Sequence, residues 1–263
     1  MARNVDRLAP DDALMKRIED AATDRIAGAL QAWARAIFRG ATAADVQQIL
    51  RRLDDRSLAV PLVDAMVDVL REIGYMGADI GRQHYELALR SQKLNIGVDW
   101  ELVNSDVLRW VLDYTYSLVR GLTDTTRDRL AIELARFVES GEPLPKLVQR
   151  LSDPEQGMFG KARARRIAVT ETTRAYAEGN LAAWRAGGFV EQRQWQTAAD
   201  ERVCPVCGPM QGIVAGINEP FRHPRLGAVA IPAHVGCRCW HVPYVDINVP
   251  DDWQPTYLTV EFR

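Results

Sequence analysis

The chain's four cysteines all lie between positions 204 and 239, and the 203 residues before them contain none. Cys204-Pro205-Val206-Cys207-Gly208 sets two thiols three positions apart. The proline presets one backbone dihedral, and the glycine relieves crowding where amides turn toward sulfur. Such a knuckle supplies half of a tetrahedral zinc shell. The run Pro232-Ala233-His234-Val235-Gly236-Cys237-Arg238-Cys239 offers the other half, with His234, Cys237 and Cys239 as three candidates for two positions. Cys237 and Cys239 share a face if that piece is extended, and His234 precedes them at a spacing suited to a turn. The favoured set is Cys204, Cys207, His234 and one of Cys237 or Cys239, with an all-cysteine shell close behind. A redox pair or plain buried thiols are the competing uses. A lone CxxC is a weak signal; CxxC, 29 residues, then CxC with a histidine three before it is much stronger.

The metal expected is structural zinc. Catalytic zinc keeps one position open for water and has a carboxylate nearby as base. A zinc deaminase puts a glutamate two residues after a histidine, upstream of PCxxC. Here Asp200-Glu201-Arg202-Val203 precedes the knuckle, and His223 and His241 lack such a glutamate. The expectation is therefore no enzyme, no catalytic residue and no small-molecule substrate. The region 190–245 is rich in glycine and proline and poor in large apolar residues, too small a unit to order itself by burial. Structural zinc contributes roughly 10–16 kcal/mol of apparent binding energy to short peptides, which would offset much of the ordering entropy.

The elements that must position this cluster read as helix after helix. Leu14, Ile18, Ile26, Leu30, Trp33 and Ile37 recur at helical spacing up to Gly40. Thr42 three before Asp45 is a capping pattern ahead of Val46, Ile49 and Leu53. A longer helix follows Ser57, with Pro61 in its first turn and Gly74, Gly77 and Gly81 marking a close helix crossing. A stripe from Val103 to Leu118 is expected to end at Gly121, with Thr123 capping the next helix to Gly141. A helix from about Phe159 to Ala186, stopped by Gly187-Gly188, begins with Lys161, Arg163, Arg165 and Arg166. Residues 190–196 alternate as a strand does, and short strands and turns follow. The apolar-alternating end, Tyr257 to Phe262, suits an edge strand or an arm that grips a neighbour. The fold class is a mainly α N-terminal part with a small zinc-stabilised α+β C-terminal module. The expected parts are a helical region 1–122, a helical part 123–188, a zinc-binding strand and turn module 189–245 and a C-terminal arm 246–263.

The rest is ordinary for a globular chain of 263 residues: 47% hydrophobic, 26% charged, formal net charge -2. Neither nucleic acid nor membrane is demanded by overall charge. No apolar run approaches the roughly 18 residues of a membrane span, and the charged first ten residues lack the apolar stretch of a secretory leader.

Three stretches resemble the phage Mu F-like head morphogenesis family of minor capsid proteins. They are Arg166 to Ala175 (RIAVTETTRA), with the family's Thr-Glu pair; Trp195 to Cys207 (WQTAADERVCPVC); and Ile231 to Cys239 (IPAHVGCRC), like the family's Pro-x-His-x-x-Cys-Arg-Cys ending. The resemblance spans about Thr123 to Val245. It implies a low-copy minor head protein acting in prohead assembly or DNA passage near the portal. Its implied partners are the portal and/or major capsid protein, with packaged DNA as a further one, and its implied location is the virion, after assembly in host cytoplasm. A DNA-binding zinc module using Lys161 to Arg166 with Arg222 and Arg225 is the alternative, and a zinc hydrolase or toxin-like enzyme ranks below it. At residue level, Glu171 and Arg174 are expected to pair at i,i+3 and fix the helix against the zinc unit. Asp200 is expected to accept turn amides, and Arg238 to stabilise thiolate charge.

Overall fold

The computed structural model describes residues 5–42, 45–197 and 203–262. Six α-helices come first: α1 (Asp12–Phe38), α2 (Val46–Asp54), α3 (Val60–Ser91), α4 (Trp100–Ser140), α5 (Leu144–Leu151) and α6 (Lys161–Gly187). Five short strands follow: β1 (Gln192–Gln196), β2 (Val214–Gly216), β3 (Phe221–His223), β4 (Gly227–Val229) and β5 (Trp240–Pro243). This is the mainly helical chain with a small C-terminal strand module that the sequence pattern predicts.

The helices start and stop for local reasons. The Asp11 carboxylate caps α1 by accepting from the amide of Leu14, and Asp99 caps α4 by accepting from Glu101 and Leu102. Gly141 and Gly188 end α4 and α6 in left-handed conformations at φ 64° and 67°, which a side chain would disfavour. Asp45, rather than Thr42, precedes the first turn of α2; its carboxylate reaches back to the amide and hydroxyl of Thr42.

The expected break at Gly121 does not occur, and α4 runs through it unbroken. An exposed interior glycine weakens a helix by only about 1 kcal/mol. Thr123, Thr125 and Thr126 turn their hydroxyls back to carbonyls three or four residues earlier instead of capping a new start. Buried Arg163 then ties α6 to this stretch, donating to the Thr126 hydroxyl, the Met158 carbonyl and the Leu122 carbonyl.

Helices α3 and α6 cross at the centre, with α1 and α4 against them. The glycines of α3 permit the approach: a Cβ on Gly81 would lie 2.9 Å from both Ala183 Cβ and Asn180 Cα, and one on Gly77 would collide with the Tyr176 backbone. Gly179 on α6 answers them, meeting the α3 backbone at Gly74, Gly77 and Ala78. The large apolar core fills the space around this crossing, with Trp33, Trp184, Tyr85 and Phe159 almost wholly buried.

The module has two sheets. Strand β1 is central in an antiparallel three-stranded sheet, order β2-β1-β5, with Gln194 opposite Val214 on one side and Val242 on the other. Strands β3 and β4 form a separate hairpin. A second, small core lies here, containing Trp195, Phe221, Met210, Ile231, Cys207, Cys237 and Cys239, with Ala177 of α6 at its edge. Trp195 and Phe221 meet edge to face at 5.0 Å.

The segment after β5 forms no strand over Tyr257 to Phe262. It lies on its own chain. Gln83 of α3 holds Thr256 through both amide atoms, at 2.6 and 2.9 Å, and the Asp11 amide donates to the Tyr257 hydroxyl at 2.8 Å. The arm expected to grip a neighbour is thus spread over α3 and the start of α1.

Candidate metal centre

The knuckle closes as a turn: the amides of Cys207 and Gly208 donate to the Cys204 carbonyl at 3.0 and 2.9 Å, and the Cys207 amide also points at Cys204 Sγ, 3.3 Å away. His223, buried on β3, braces it. Its Nδ1 accepts from the amides of Arg225 and Leu226, both at 3.0 Å, so its proton sits on Nε2 and is donated to the Val206 carbonyl at 2.9 Å. His223 therefore orients the knuckle rather than offering a ligand.

The second donor segment is fixed by α6. Thr170 Oγ1 accepts from the Gly236 amide at 2.9 Å, and Thr173 Oγ1 donates to the Cys237 carbonyl at 2.7 Å. The two threonines are three apart, so they share one face of the helix. Gly236 itself stands at φ 77°, where a side chain would be strained.

These supports bring all five candidate donors together. His234 Nε2 lies 3.0 Å from Cys204 Sγ and 3.1 Å from Cys207 Sγ, and Cys207 Sγ lies 3.7 Å from Cys237 Sγ. Two triads result, Cys204/Cys207/His234 and Cys207/Cys237/Cys239, each with its ligand atoms within 4.8 Å of one another. Zinc–sulfur bonds of 2.3 Å in a tetrahedron give sulfur–sulfur edges of about 3.8 Å, which the Cys207–Cys237 pair matches. The His234–sulfur separations are somewhat shorter than the edge of about 3.5 Å that a bound ion would set. His234 Nδ1 is 2.9 Å from the Val235 carbonyl, which fixes the proton there and leaves the Nε2 lone pair toward the sulfurs. The donor chemistry and spacing suit a soft, tetrahedral ion.

The electrostatics agree. Burial opposes ionisation of Cys204, yet the backbone and thiol donors of Cys207, the Val206 amide and the nearby His234 hold it below the ordinary thiol value. Cys237 is drawn down to about 2, chiefly by the thiols of Cys207 and Cys239 donating to it. Cys207 is pushed up in turn by Cys237 and Cys239. The three sulfurs thus act on one another at close range, and a cation at their centre would favour their ionised forms. The cleft among the donors has a volume of about 60 Å³ and is lined also by Thr197, Val203, Gly236 and Arg238. That is room for an ion or a water, not for an organic substrate.

The module is anchored to the helices by a buried polar pair. Arg193 of β1 donates to His241 Nδ1 at 3.1 Å and to the Glu219 carbonyl at 2.7 Å, and its guanidinium lies 4.3 Å from the Phe221 ring centroid. His241 Nε2 then reaches the Ala177 carbonyl of α6 at 3.1 Å. Burial holds His241 well below the usual imidazole value, so it is neutral.

Residues 128–242 match the family described as Phage Mu protein F like protein. This segment is similar to that family. It covers a little under half the chain, and all five donors, the whole of α6 and the end of α4 fall inside it. No curated protein and no solved structure matches the chain. The similarity suggests a phage head morphogenesis protein.

Within the Mu F-like segment, one expectation changes. Glu171 and Arg174 do pair, at 3.1 Å, but they face α4, where Tyr114 donates to the buried Glu171 carboxylate at 2.9 Å and Arg174 lies over the Tyr114 ring. The flanking Thr170 and Thr173 make the contact with the donor loop instead. Asp200 lies outside the described residues. Arg238 lines the donor cleft and also a larger cavity of about 580 Å³ beside it, near Glu19 and Arg165. Thr170, Thr173, His223 and Arg193 carry the support and were not singled out by sequence. The TETT run was the available signal for the threonines; nothing in the spacing marked His223 or Arg193.

Proposed function

We propose that the chain is a structural minor head protein of a tailed phage, acting in prohead assembly and/or DNA passage near the portal. A structural zinc ion, held by donors from Cys204, Cys207, His234, Cys237 and Cys239, keeps its C-terminal module rigid. One observation carries the reading: the Mu F-like match covers the two donor segments and the helix that clamps one of them. The metal supplies cross-linking alone. Thr170, Thr173 and His223 hold the donors, and Arg193 with His241 fixes the module on α6.

The partners proposed are the portal and/or the major capsid protein, within the virion head after assembly in host cytoplasm. Among the described residues no helix is long and apolar enough to cross a membrane. We divide the chain by role into 1–122, 123–188, 189–245 and 246–263, with α4 shared across the first boundary. A closed four-ligand shell, with no position left for water, would make the role non-enzymatic.

Packaged DNA is a weaker partner. Lys161 pairs with Asp24 at 2.6 Å, Arg165 lies 3.6 Å from Asp20, and Arg163 is buried, so nearby carboxylates and burial offset part of the positive charge at the start of α6. Fractionation of proheads and virions tests the main reading. The chain is expected in both at low copy; its absence from both would overturn the assignment.

A further inference from the structure

The cavity of about 580 Å³ beside the donor cleft is walled by three parts of the chain: the start of α1, one face of α6 and residues 236–240. That volume is in the range of a ligand pocket. Lys16 of α1, Arg165 of α6 and Arg238 of the donor loop all line it. All three cations act on one group, the half-buried Glu19 carboxyl in the same wall; burial raises its pKa and each cation lowers it. Charges from three separate segments therefore converge on one space. Trp240 adds a directed donor, since its buried indole N–H has no acceptor among the described residues. The Tyr176 hydroxyl, also in this wall, has Asn180 and Tyr257 as polar neighbours but no hydrogen bond of normal geometry. A buried N–H gains by meeting an acceptor oxygen, and gains more when that oxygen is charged.

We propose that this cavity binds a carboxylate side chain on an acidic peptide segment of a partner protein. Lys16, Arg165 and Arg238 supply the attraction, Trp240 Nε1 donates to a carboxylate oxygen, and Met15 and Val169 offer apolar contact to the carbon chain. Glu19 is the chain's own carboxylate among these cations, so an incoming one competes with it. The charge balance selects against phosphate polymers. Asp12 also lines the cavity, and Asp20 lies 3.0 Å from Lys16 and 3.6 Å from Arg165, so acids match the cations in number. A single carboxylate met by directed donors fits such a setting, whereas DNA, with a charge about every 1.7 Å along its axis, would press further phosphates against Asp12, Glu19 and Asp20. An occupant would touch α1, α6 and the donor loop together, and so clamp the module to the helices. The proposal goes beyond the head-protein reading and depends neither on it nor on the ion.

The test follows the tryptophan indole N–H signals of the full ¹⁵N-labelled chain by NMR, with Trp240→Phe assigning the one that matters. The probes are a blocked hexapeptide of alternating leucine and glutamate, its glutamine counterpart, inorganic phosphate and a short single-stranded DNA. The glutamate peptide is expected to shift the Trp240 signal saturably at up to millimolar concentration, and the glutamine peptide to bind at least about tenfold more weakly. Arg238→Gln, Arg165→Gln and Lys16→Gln should each weaken binding, Glu19→Gln should tighten it, and Arg109→Gln, on the exposed face of α4 and outside the cavity, should leave it unchanged. Lys16 and Arg165 are exposed, so their variants keep the test decisive if Arg238→Gln disturbs the donor loop. Circular dichroism checks the fold of each variant. No saturable shift of Trp240 would overturn the proposal, as would equal binding of the two peptides. Equal weakening by Arg109→Gln would overturn it by showing diffuse attraction. Phosphate or DNA shifting Trp240 at lower concentration than the glutamate peptide would overturn it in favour of a phosphate site.

Discussion

Thr170 and Thr173 connect two sequence motifs that are more than sixty positions apart, and each does so through one hydroxyl. Replacing Thr173 by Val keeps the shape but leaves the buried Cys237 carbonyl without its donor, at a cost of about 1–3 kcal/mol. Competition against a chelator should show zinc affinity falling roughly 10–100-fold, as when an outer partner of a ligand is lost. Unchanged affinity would mean that the loop holds itself. His84 gives a second prediction. It is buried between Trp184 and Trp253, both ring nitrogens lack a partner among the described residues, and burial lowers its pKa to about 3. The unfolded chain therefore binds a proton below about pH 6.5 that the folded chain refuses until about pH 3, and this group's effect is flat above that window. Stability falls with pH across it by up to about 1.4 kcal/mol per pH unit from this residue. His241 adds the same sign, while buried Glu171 and Glu178, whose pKa values are raised by burial, add the opposite one. The difference between wild type and His84→Phe in urea unfolding isolates the His84 share: the variant should lose less stability on acidification. Parallel pH profiles would refute it.

At the scale of elements, the α3–α6 crossing depends on absent side chains. Gly77→Ala places a methyl against the Tyr176 backbone, and overpacking of this kind costs about 1–3 kcal/mol. Gly28, in the interior of α1, has open space where a methyl would stand, with nothing within 4 Å, so Gly28→Ala should instead gain up to about 1 kcal/mol from helix propensity. Thermal unfolding of the two variants should move in opposite directions. This crossing was legible beforehand, since three glycines on one side of an apolar helix imply close backbone approach. The convergence of the two Cys/His segments was legible too, because their spacing is the kind that coordination chemistry sets. The continuity of α4 was not. Gly121 and Thr123 look like a stop and a start, and only tertiary contacts, Arg163 on Leu122 and Thr126, show why the helix carries on. The role of His223 was equally hidden, because its partners are backbone groups, which no residue pattern advertises.

For the whole molecule, two cores of unequal size imply unequal dependence on metal. The helical core is extensive, whereas the module's own core contains three of the candidate ligands among its few buried side chains. Chelation should therefore disorder the module while leaving most helical dichroism in place, with Trp195 fluorescence reporting the loss. A module that survives chelation intact would show that Arg193, His241 and the sheet suffice without an ion. The most direct measurement is the zinc content of the purified full-length chain, determined by elemental analysis after preparation under reducing conditions without added metal. The expected result is about one zinc per chain, removable by a strong chelator and restored on reconstitution. A chain that contains no zinc, and takes up none when it is supplied, would contradict the account.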